Sequence, residues 1–238
     1  GCNCKVCHST DIKDARLRSS VLLSLGDMNI VIDTGPDFRQ QMLRQRVGHL
    51  NAILLTHEHN DHVAGLDDIR PFNFMQRESI SVFTSSRVIK DLKSKYHYIF
   101  AEDKYPGAPS LQLNEIRDES FMIQNIAIQP IHYMHGNMPV IGFRIGDLAY
   151  LTDIKYIKDE EVAKLTGVKT VIVSALHHRE HHSHFNLGEA LRFIKKVNPQ
   201  AAYLTHISHL MGCYSEVSGT LPMGVHLAYD GLQIGINL

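Results

Sequence analysis

Ala52-Ile-Leu-Leu-Thr-His-Glu-His-Asn-Asp-His62 is the stretch on which the fold turns. Its first four residues are apolar, a run of the kind that forms a buried strand. The strand is expected to end at Thr56, with His57, His59, Asp61 and His62 in the short turn after it and a helix beyond Gly65. Extended chain alternates its side chains, so His57 and His59 project to one side. Asp61 and His62 are then left on the turn, where they face a second ion. Imidazoles and a carboxylate are donors for zinc, manganese or iron. Four such groups within six residues are denser than a solvated loop requires, and the segment reads as feeding two metals.

The surrounding chain has 238 residues and a formal net charge of −1. A single domain over 1–238 is expected. A chain of that size buries roughly 70–75% of its unfolded surface, so no metal is needed merely to make a core. Near-neutral charge argues against wholesale capture of nucleic acid or of an anionic membrane. No apolar run reaches transmembrane length, and no signal-peptide pattern is visible. Cys2, Cys4 and Cys7 are too tightly spaced for a disulfide framework, and Cys213 stands apart. Thiolates kept for metal in a reducing compartment are the expectation, hence a cytoplasmic location.

Three hairpins are expected. Residues 21–25 and 30–32 flank Gly26-Asp27, 140–145 and 148–151 flank Gly146-Asp147, and 225–229 and 232–236 flank Asp230-Gly231. Buried strands are expected at 52–55, 80–83, 126–131, 170–173 and 201–204. Helical spacing follows Pro36-Asp37, with Phe38, Met42 and Leu43. Ser86 is placed as the cap of a helix carrying Val88, Ile89 and Leu92. Asn186-Leu-Gly-Glu189 resembles a capping box before a stripe of Leu187, Ala190, Leu191, Ile194 and Val197. The fold class is α/β (α+β) with mixed or antiparallel sheets.

His-x-His-x-Asp-His after an apolar strand resembles the signature of the metallo-β-lactamase superfamily. Other segments follow that pattern in order along nearly the whole chain. Asp33-Thr34-Gly35 is similar to the superfamily's Asp-x-Gly turn; His135 looks like the next ligand. Asp153 looks like the carboxylate that bridges two metals, and His206 like the last ligand. The resemblance implies an αββα four-layer sandwich with two catalytic divalent metals, zinc or manganese, held by His57, His59, Asp61, His62, His135, Asp153 and His206.

The spacing Cys2-x-Cys4-x-x-Cys7 offers three thiolates, and a tetrahedral zinc wants a fourth ligand. Cys213, His8 and His209 are the candidates in sequence. Here the chain resembles the PhnP-like branch, the cyclic phosphodiesterases of phosphonate degradation, in which the fourth ligand lies three residues beyond the last catalytic histidine. That implies one structural zinc on Cys2, Cys4, Cys7 and His209, with Cys213 a free thiol. The tail Leu221-Pro-Met-Gly-Val and Ala228-Tyr-Asp-Gly-Leu-Gln-Ile-Gly is similar to the closing hairpin of that branch. Family members begin with a strand and a Gly-Thr-Gly loop before the cysteines; this chain, which starts with Gly rather than Met, is expected to lack that strand.

Sixteen histidines are present, and His177, His178, His181, His182 and His184 precede the capped helix. By resemblance, His184 is a catalytic helper that binds no metal, steadies the phosphorus and protonates the leaving oxygen. His182 is held in reserve, and the rest read as surface or a phosphate-binding fringe. Asp61, besides ligating, is placed as the group that orients or deprotonates the attacking water. The implied activity is hydrolysis of small cyclic phosphates, of the phosphoribosyl 1,2-cyclic phosphate or 2′,3′-cyclic nucleotide type. The implied partners are a small phosphodiester and, as an option, a second copy of the chain; nucleic acid enters only as a cyclic nucleotide. Three rivals share parts of the pattern. A tRNase Z-like nuclease would carry an extended arm for tRNA, a glyoxalase II-like thioesterase lacks the cysteines, and a PqqB-like binding protein has a degraded metal motif.

Overall fold

Gly26 sits at φ +62°, the left-handed conformation that a two-residue hairpin turn needs. In the computed structural model, which describes residues 2–236, this turn joins β1 (Val21–Leu25) to β2 (Met28–Ile32) in antiparallel register. The chain divides into two compact units, Arg18–Glu119, and Gly1–Leu17 with Ser120–Leu238.

In the Arg18–Glu119 unit, β2 is followed by α1 (Phe38–Gln45), β3 (Ala52–Leu54), α2 (Asn60–Val63), α3 (Arg70–Gln76), β4 (Ile80–Thr84), α4 (Ser86–Lys95), α5 (His97–Phe100) and β5 (Leu111–Glu115). The sheet runs β1 to β5 in sequence order, and every pair after the first is parallel. Parallel neighbours need a crossover, and the helices supply it. Phe38, Met42, Leu66, Ile69, Phe72, Val88 and Leu92 turn inward onto Val31, Ile53, Leu55 and Val82. The cap of α4 is Ser85 rather than the expected Ser86: its side chain accepts from the Val88 amide. Strand β5 was not foreseen, because Leu111-Gln-Leu-Asn-Glu115 alternates only weakly and has a half-exposed pattern.

The other unit contains β6 (Phe121–Ile123), β7 (Ile126–His135), β8 (Met138–Ile145), β9 (Leu148–Leu151), α6 (Asp159–Ala163), β10 (Thr170–Ser174), α7 (Leu187–Val197), β11 (Ala201–Thr205), α8 (Tyr214–Ser218) and β12 (Val225–Leu227). Strands β6 to β9 form an antiparallel meander, and β9 to β12 are parallel. Strand β7 continues to His135, well past the expected end at 131, although it contains Pro130. The His132 amide donates to Glu161 Oε2 and the Met134 amide to the Tyr156 carbonyl, both on the edge that β6 does not cover. Pro130 lies two residues earlier on that same edge, so its missing N–H breaks no ladder bond. The capping box at α7 forms as expected, with Glu189 N on Asn186 Oδ1 at 2.8 Å and Asn186 N on Glu189 Oε2 at 2.9 Å. Its buried face holds Ala190, Phe193 and Ile194.

The third expected hairpin does not form. Val225–Leu227 pairs in parallel with β11, and residues 232–236 form no strand. The turn itself forms, with the Leu232 amide on the Tyr229 carbonyl at 3.1 Å and Gly231 at φ +86°, and the Asp230 carboxylate accepts the Leu17 amide at 3.0 Å. Asp14 likewise accepts the Tyr214 amide at 2.7 Å. Among the described residues no helix is long and apolar enough to cross a membrane.

Close backbone approach sets the most demanding position in the Arg18–Glu119 unit. A Cβ on Gly35 would lie 2.3 Å from the Asp61 carbonyl oxygen. Gly35→Ala is therefore expected to lower the unfolding free energy by about 3 kcal/mol. Gly48→Ala, with nothing within 4 Å of the added carbon, should change it by under about 0.5 kcal/mol. Denaturant midpoints of the two variants measure the difference, and equal midpoints would show that residues 33–35 can move off the Asp61 backbone.

Candidate metal centre and its helper histidines

Parallel strands deliver their next residues to one edge of a sheet, the carboxyl end, where α/β proteins bind ligands. Asp33 follows β2, and His57 lies three residues beyond β3. In the second unit Asp153 follows β9, residues 177–184 follow β10, and His206 follows β11. His135 ends β7 itself. Asp33, Asp153 and His206 all hold left-handed φ values of +64°, +56° and +52°. Such conformations cost non-glycine residues of order 1–3 kcal/mol and cluster at functional sites.

In the Arg18–Glu119 unit the organising group is the fully buried Asp33. Its carboxylate accepts the Thr56 amide at 2.9 Å, the Thr56 hydroxyl at 2.9 and 3.1 Å, and His62 Nδ1–H at 2.7 Å. The Thr56 hydroxyl gives its one proton to Asp33, so at 2.9 Å from His57 Nδ1 it accepts that ring's proton. Both buried imidazoles therefore carry the proton on Nδ1 and present the Nε2 lone pair, as metal-ligating histidines do. His57 Nε2 lies 3.1 Å from His59 Nδ1. Two nitrogens that share an ion at 2.0–2.1 Å lie about 2.9–3.4 Å apart, so this pair fits one metal. Asp61 and His62 stand on the helical turn α2 rather than on an open turn, with Asp61 Oδ2 3.6 Å from His62 Nε2.

In the other unit Asp153 is the centre, 1% exposed. Its Oδ1 accepts the Thr152 hydroxyl at 2.7 Å and lies 3.2 Å from His206 Nε2. Its Oδ2 lies 3.8 Å from His184 Nδ1 and 4.0 Å from His135 Nε2. The carboxylate thus faces a different imidazole group with each oxygen. His135 Nδ1–H donates to the Ser183 carbonyl at 2.7 Å, which again leaves Nε2 as the lone pair. His184 Nδ1 is buried without a hydrogen-bond partner among the described residues. One ligand atom each from His135, Asp153 and His184 falls within 4.8 Å of the others. Burial pushes His184 down to about 3, against the pull of Asp153, so the ring is neutral.

The cysteines converge with His209. One ligand atom from each of Cys2, Cys4, Cys7 and His209 lies within 4.8 Å of the rest. Cys4 Sγ and Cys7 Sγ are 3.4 and 3.5 Å from His209 Nδ1. The S···N edge of a tetrahedral zinc site is about 3.6 Å, so the donors fit that ion. The Cys7 amide and His209 draw Cys4 down to about 6, and Cys4 in turn pushes Cys7 up to about 11. Cys213 is not in the group; burial and Asp14 push its thiol upward.

Residues 28–207 match the family model described as "Beta-lactamase superfamily domain". The chain belongs to the metallo-β-lactamase superfamily. Within that superfamily its branch is the PhnP-like one. The crystal structure of a new diphosphatase from the PhnP family is 34% identical and superposes with a TM-score of 0.92, covering 100% of this chain and 92% of that one. Zn(2+)-bound PqqB from Methylobacterium extorquens is 17% identical, with a TM-score of 0.77 over 99% and 94% of the two chains, and is similar in fold. An octanoyltransferase of Porphyromonas gingivalis is 38% identical over 236 residues, 98% of this chain and 48% of that protein. The PhnP-like chain therefore spans about half the length of that relative. Its superfamily implies divalent metal, and its histidine and aspartate donors suit one.

The sequence reading missed Asp33 and Thr56 as positioning groups; the Asp-x-Gly turn was the available signal. Asp33→Asn leaves the His62 proton without a charged acceptor. It is expected to weaken metal binding in the PhnP-like chain about 10–100-fold, read by competition with a chelator. Cys4→Ser should remove one zinc equivalent in a metal assay and lower the melting temperature, whereas Cys213→Ser should leave the count unchanged. Equal counts in wild type and Cys4→Ser would refute a zinc on the cysteine group.

Proposed function

We propose that the chain is a binuclear metal-dependent phosphodiesterase acting on small cyclic phosphate esters, of the phosphoribosyl 1,2-cyclic phosphate or 2′,3′-cyclic nucleotide type. The observation that carries this reading is Asp153, whose two carboxylate oxygens face His206 on one side and His135 with His184 on the other. A carboxylate so divided suits two cations. The proposed ligands are His57, His59, Asp61 and His62 with His135, Asp153 and His206, and zinc or manganese suits them. A structural zinc on Cys2, Cys4, Cys7 and His209 completes the set. Phosphorus as the reacting centre is supported by the likeness to the PhnP-family diphosphatase.

Bound divalent metals supply Lewis acidity and bring the pKa of water from 15.7 to about 7. The chain's own groups do the rest. Asp61, one-third exposed, orients the attacking water and takes its proton. Asp33 and the Ser183 carbonyl hold His62 and His135 in the tautomer that faces the metals. Buried and neutral, His184 would steady the leaving oxygen with a ring N–H hydrogen bond, and the proton that Asp61 takes from the water would return to that oxygen.

A second reading has its own support. Cleavage of a P–O–P linkage is the activity named for a structural relative at 34% identity. Octanoyl transfer belongs to a relative twice as long and is tested as a third arm. The experiment supplies zinc- or manganese-reconstituted protein with bis(p-nitrophenyl) phosphate, 2′,3′-cyclic AMP, diadenosine diphosphate and an octanoyl thioester. Metal-dependent opening of the cyclic phosphate is the expected result. Cleavage of the diphosphate alone would move the substrate to phosphoanhydrides, and thioester cleavage alone would refute phosphorus chemistry. His184→Ala should lower turnover about 10²–10⁴-fold with the metal content unchanged; loss of metal would make His184 a ligand.

A further inference from the structure

Glu58 stands between His57 and His59, and metal ligation gives its side chain no task. The β3 ladder ends at Leu54; after it the Leu55 amide bonds the Phe83 carbonyl and the Thr56 amide bonds Asp33. His59 is still extended, at φ −62° and ψ +146°. Side chains alternate along extended chain, so Glu58 points away from the face that carries the two rings.

Helix α4 reaches this residue twice. Arg87, Asp91 and Lys95 stand at four-residue spacing along one face of the helix, beside the buried Val88 and Leu92. Arg87 Nη1 donates to Glu58 Oε1 at 2.5 Å. Lys95 Nζ donates to the Glu58 carbonyl at 2.6 Å and is itself steadied by Asp91 Oδ2 at 2.9 Å. One contact fixes the side chain and the other the peptide plane that leads into His59, which leaves residue 58 little freedom to rotate.

Stability alone does not account for this arrangement. The Glu58 side chain is 17% exposed, and its Oε2 is buried without a hydrogen-bond partner among the described residues. A buried polar atom left unpaired costs about 1–3 kcal/mol, and apolar residues of similar volume often match or better a buried ion pair. What the pair supplies is orientation. His57 Nε2 and His59 Nδ1 lie 3.1 Å apart, and that separation holds only while the residue joining them keeps its rotation.

We propose that α4 is a clamp on the histidine run, in which Arg87 and Lys95 act through Glu58 to hold His57 and His59 at the spacing of a shared metal. This rests on reading those two histidines as metal ligands. Glu58, Arg87 and Lys95 are positioning residues, and none needs to touch the ion or the substrate. Preset spacing lowers the ordering cost of metal binding, so the clamp acts on affinity for the ion.

The test withdraws zinc from the loaded chain with a chelator and follows release on the imidazole ¹⁵N signals of His57 and His59. Glu58→Gln keeps the shape and removes the charge; Arg87→Met keeps the stem and removes the donor. Each should release zinc at about tenfold lower chelator concentration than wild type, the size of loss found when groups behind metal ligands are removed. The double variant should lose no more than either single one, because both act through one contact. Arg87→Lys, which keeps a charged donor, should recover part of the affinity, and Lys93→Met, exposed on the same helix, should leave it unchanged. Lys95→Met removes the carbonyl anchor and leaves the ion pair intact; it should shift release the same way and tests the clamp should the pair variants fold poorly. Zinc on the cysteine group is the internal reference. Equal loss there, additive losses in the double variant, or release unchanged from wild type would make the pair merely structural and overturn the proposal. Wild-type signals that report no zinc on His57 and His59 would refute the metal reading itself, and the clamp with it.

Discussion

A neutral imidazole has one proton and one lone pair, and a metal site works only if the proton is held on the far side of the ring. Much of the construction around the candidate ligands of each unit follows from that constraint. Asp33 meets it for His62 directly and for His57 through the Thr56 hydroxyl. The Ser183 carbonyl meets it for His135. In the His177–His184 loop the same device runs in reverse: amides on Nδ1 push the protons out to Nε2. One ring type thus serves as lone-pair donor in one place and N–H donor in another, with the backbone or a carboxylate choosing between them.

The holding groups must themselves be immobile, and the sheets supply that. Asp33 can reach Thr56 because β2 and β3 are parallel neighbours in register, Ile32 against Leu54. The Asp33 amide bonds the Leu54 carbonyl just beyond that pair. The left-handed backbone at Asp33, Asp153 and His206 turns each side chain sharply as its strand ends. That conformation is a local cost which the strand pairing and the buried hydrogen bonds offset. Gly35 and Gly65 answer to the same tightness of packing, since a Cβ on either would run into backbone carbonyl oxygen.

The cysteine group obeys an electrostatic version of the rule. A thiol that donates its proton to a neighbouring sulfur is held protonated, as Cys7 is by its hydrogen bond to Cys4. The group meets His209, which stands 205 residues from Cys4. Asp14 and Asp230 secure the same region by accepting the amides of Tyr214 and Leu17. The turn that Asp230-Gly231 suggested locally forms, but residues 232–236 pair with no strand and no hairpin follows.

Sequence by itself determined which segment is rich in metal-ligating side chains, because the run from His57 to His62 is far denser in them than a solvated loop requires. It also determined two of the hairpins and the capped helix at Asn186, since turn and cap preferences act over two to four residues. Tertiary structure alone decided where the imidazole protons sit, for that depends on atoms brought together by strand pairing and loop closure. It alone decided that Asp33 is a positioning group, and it brings His209 to the cysteines and leaves Cys213 out, as the resemblance implied. It also decided that 225–236 contributes one parallel strand instead of a hairpin. Short-range pattern records what a residue is able to do. The neighbour that makes it do so lies tens or hundreds of positions away, and only the fold brings the two into contact.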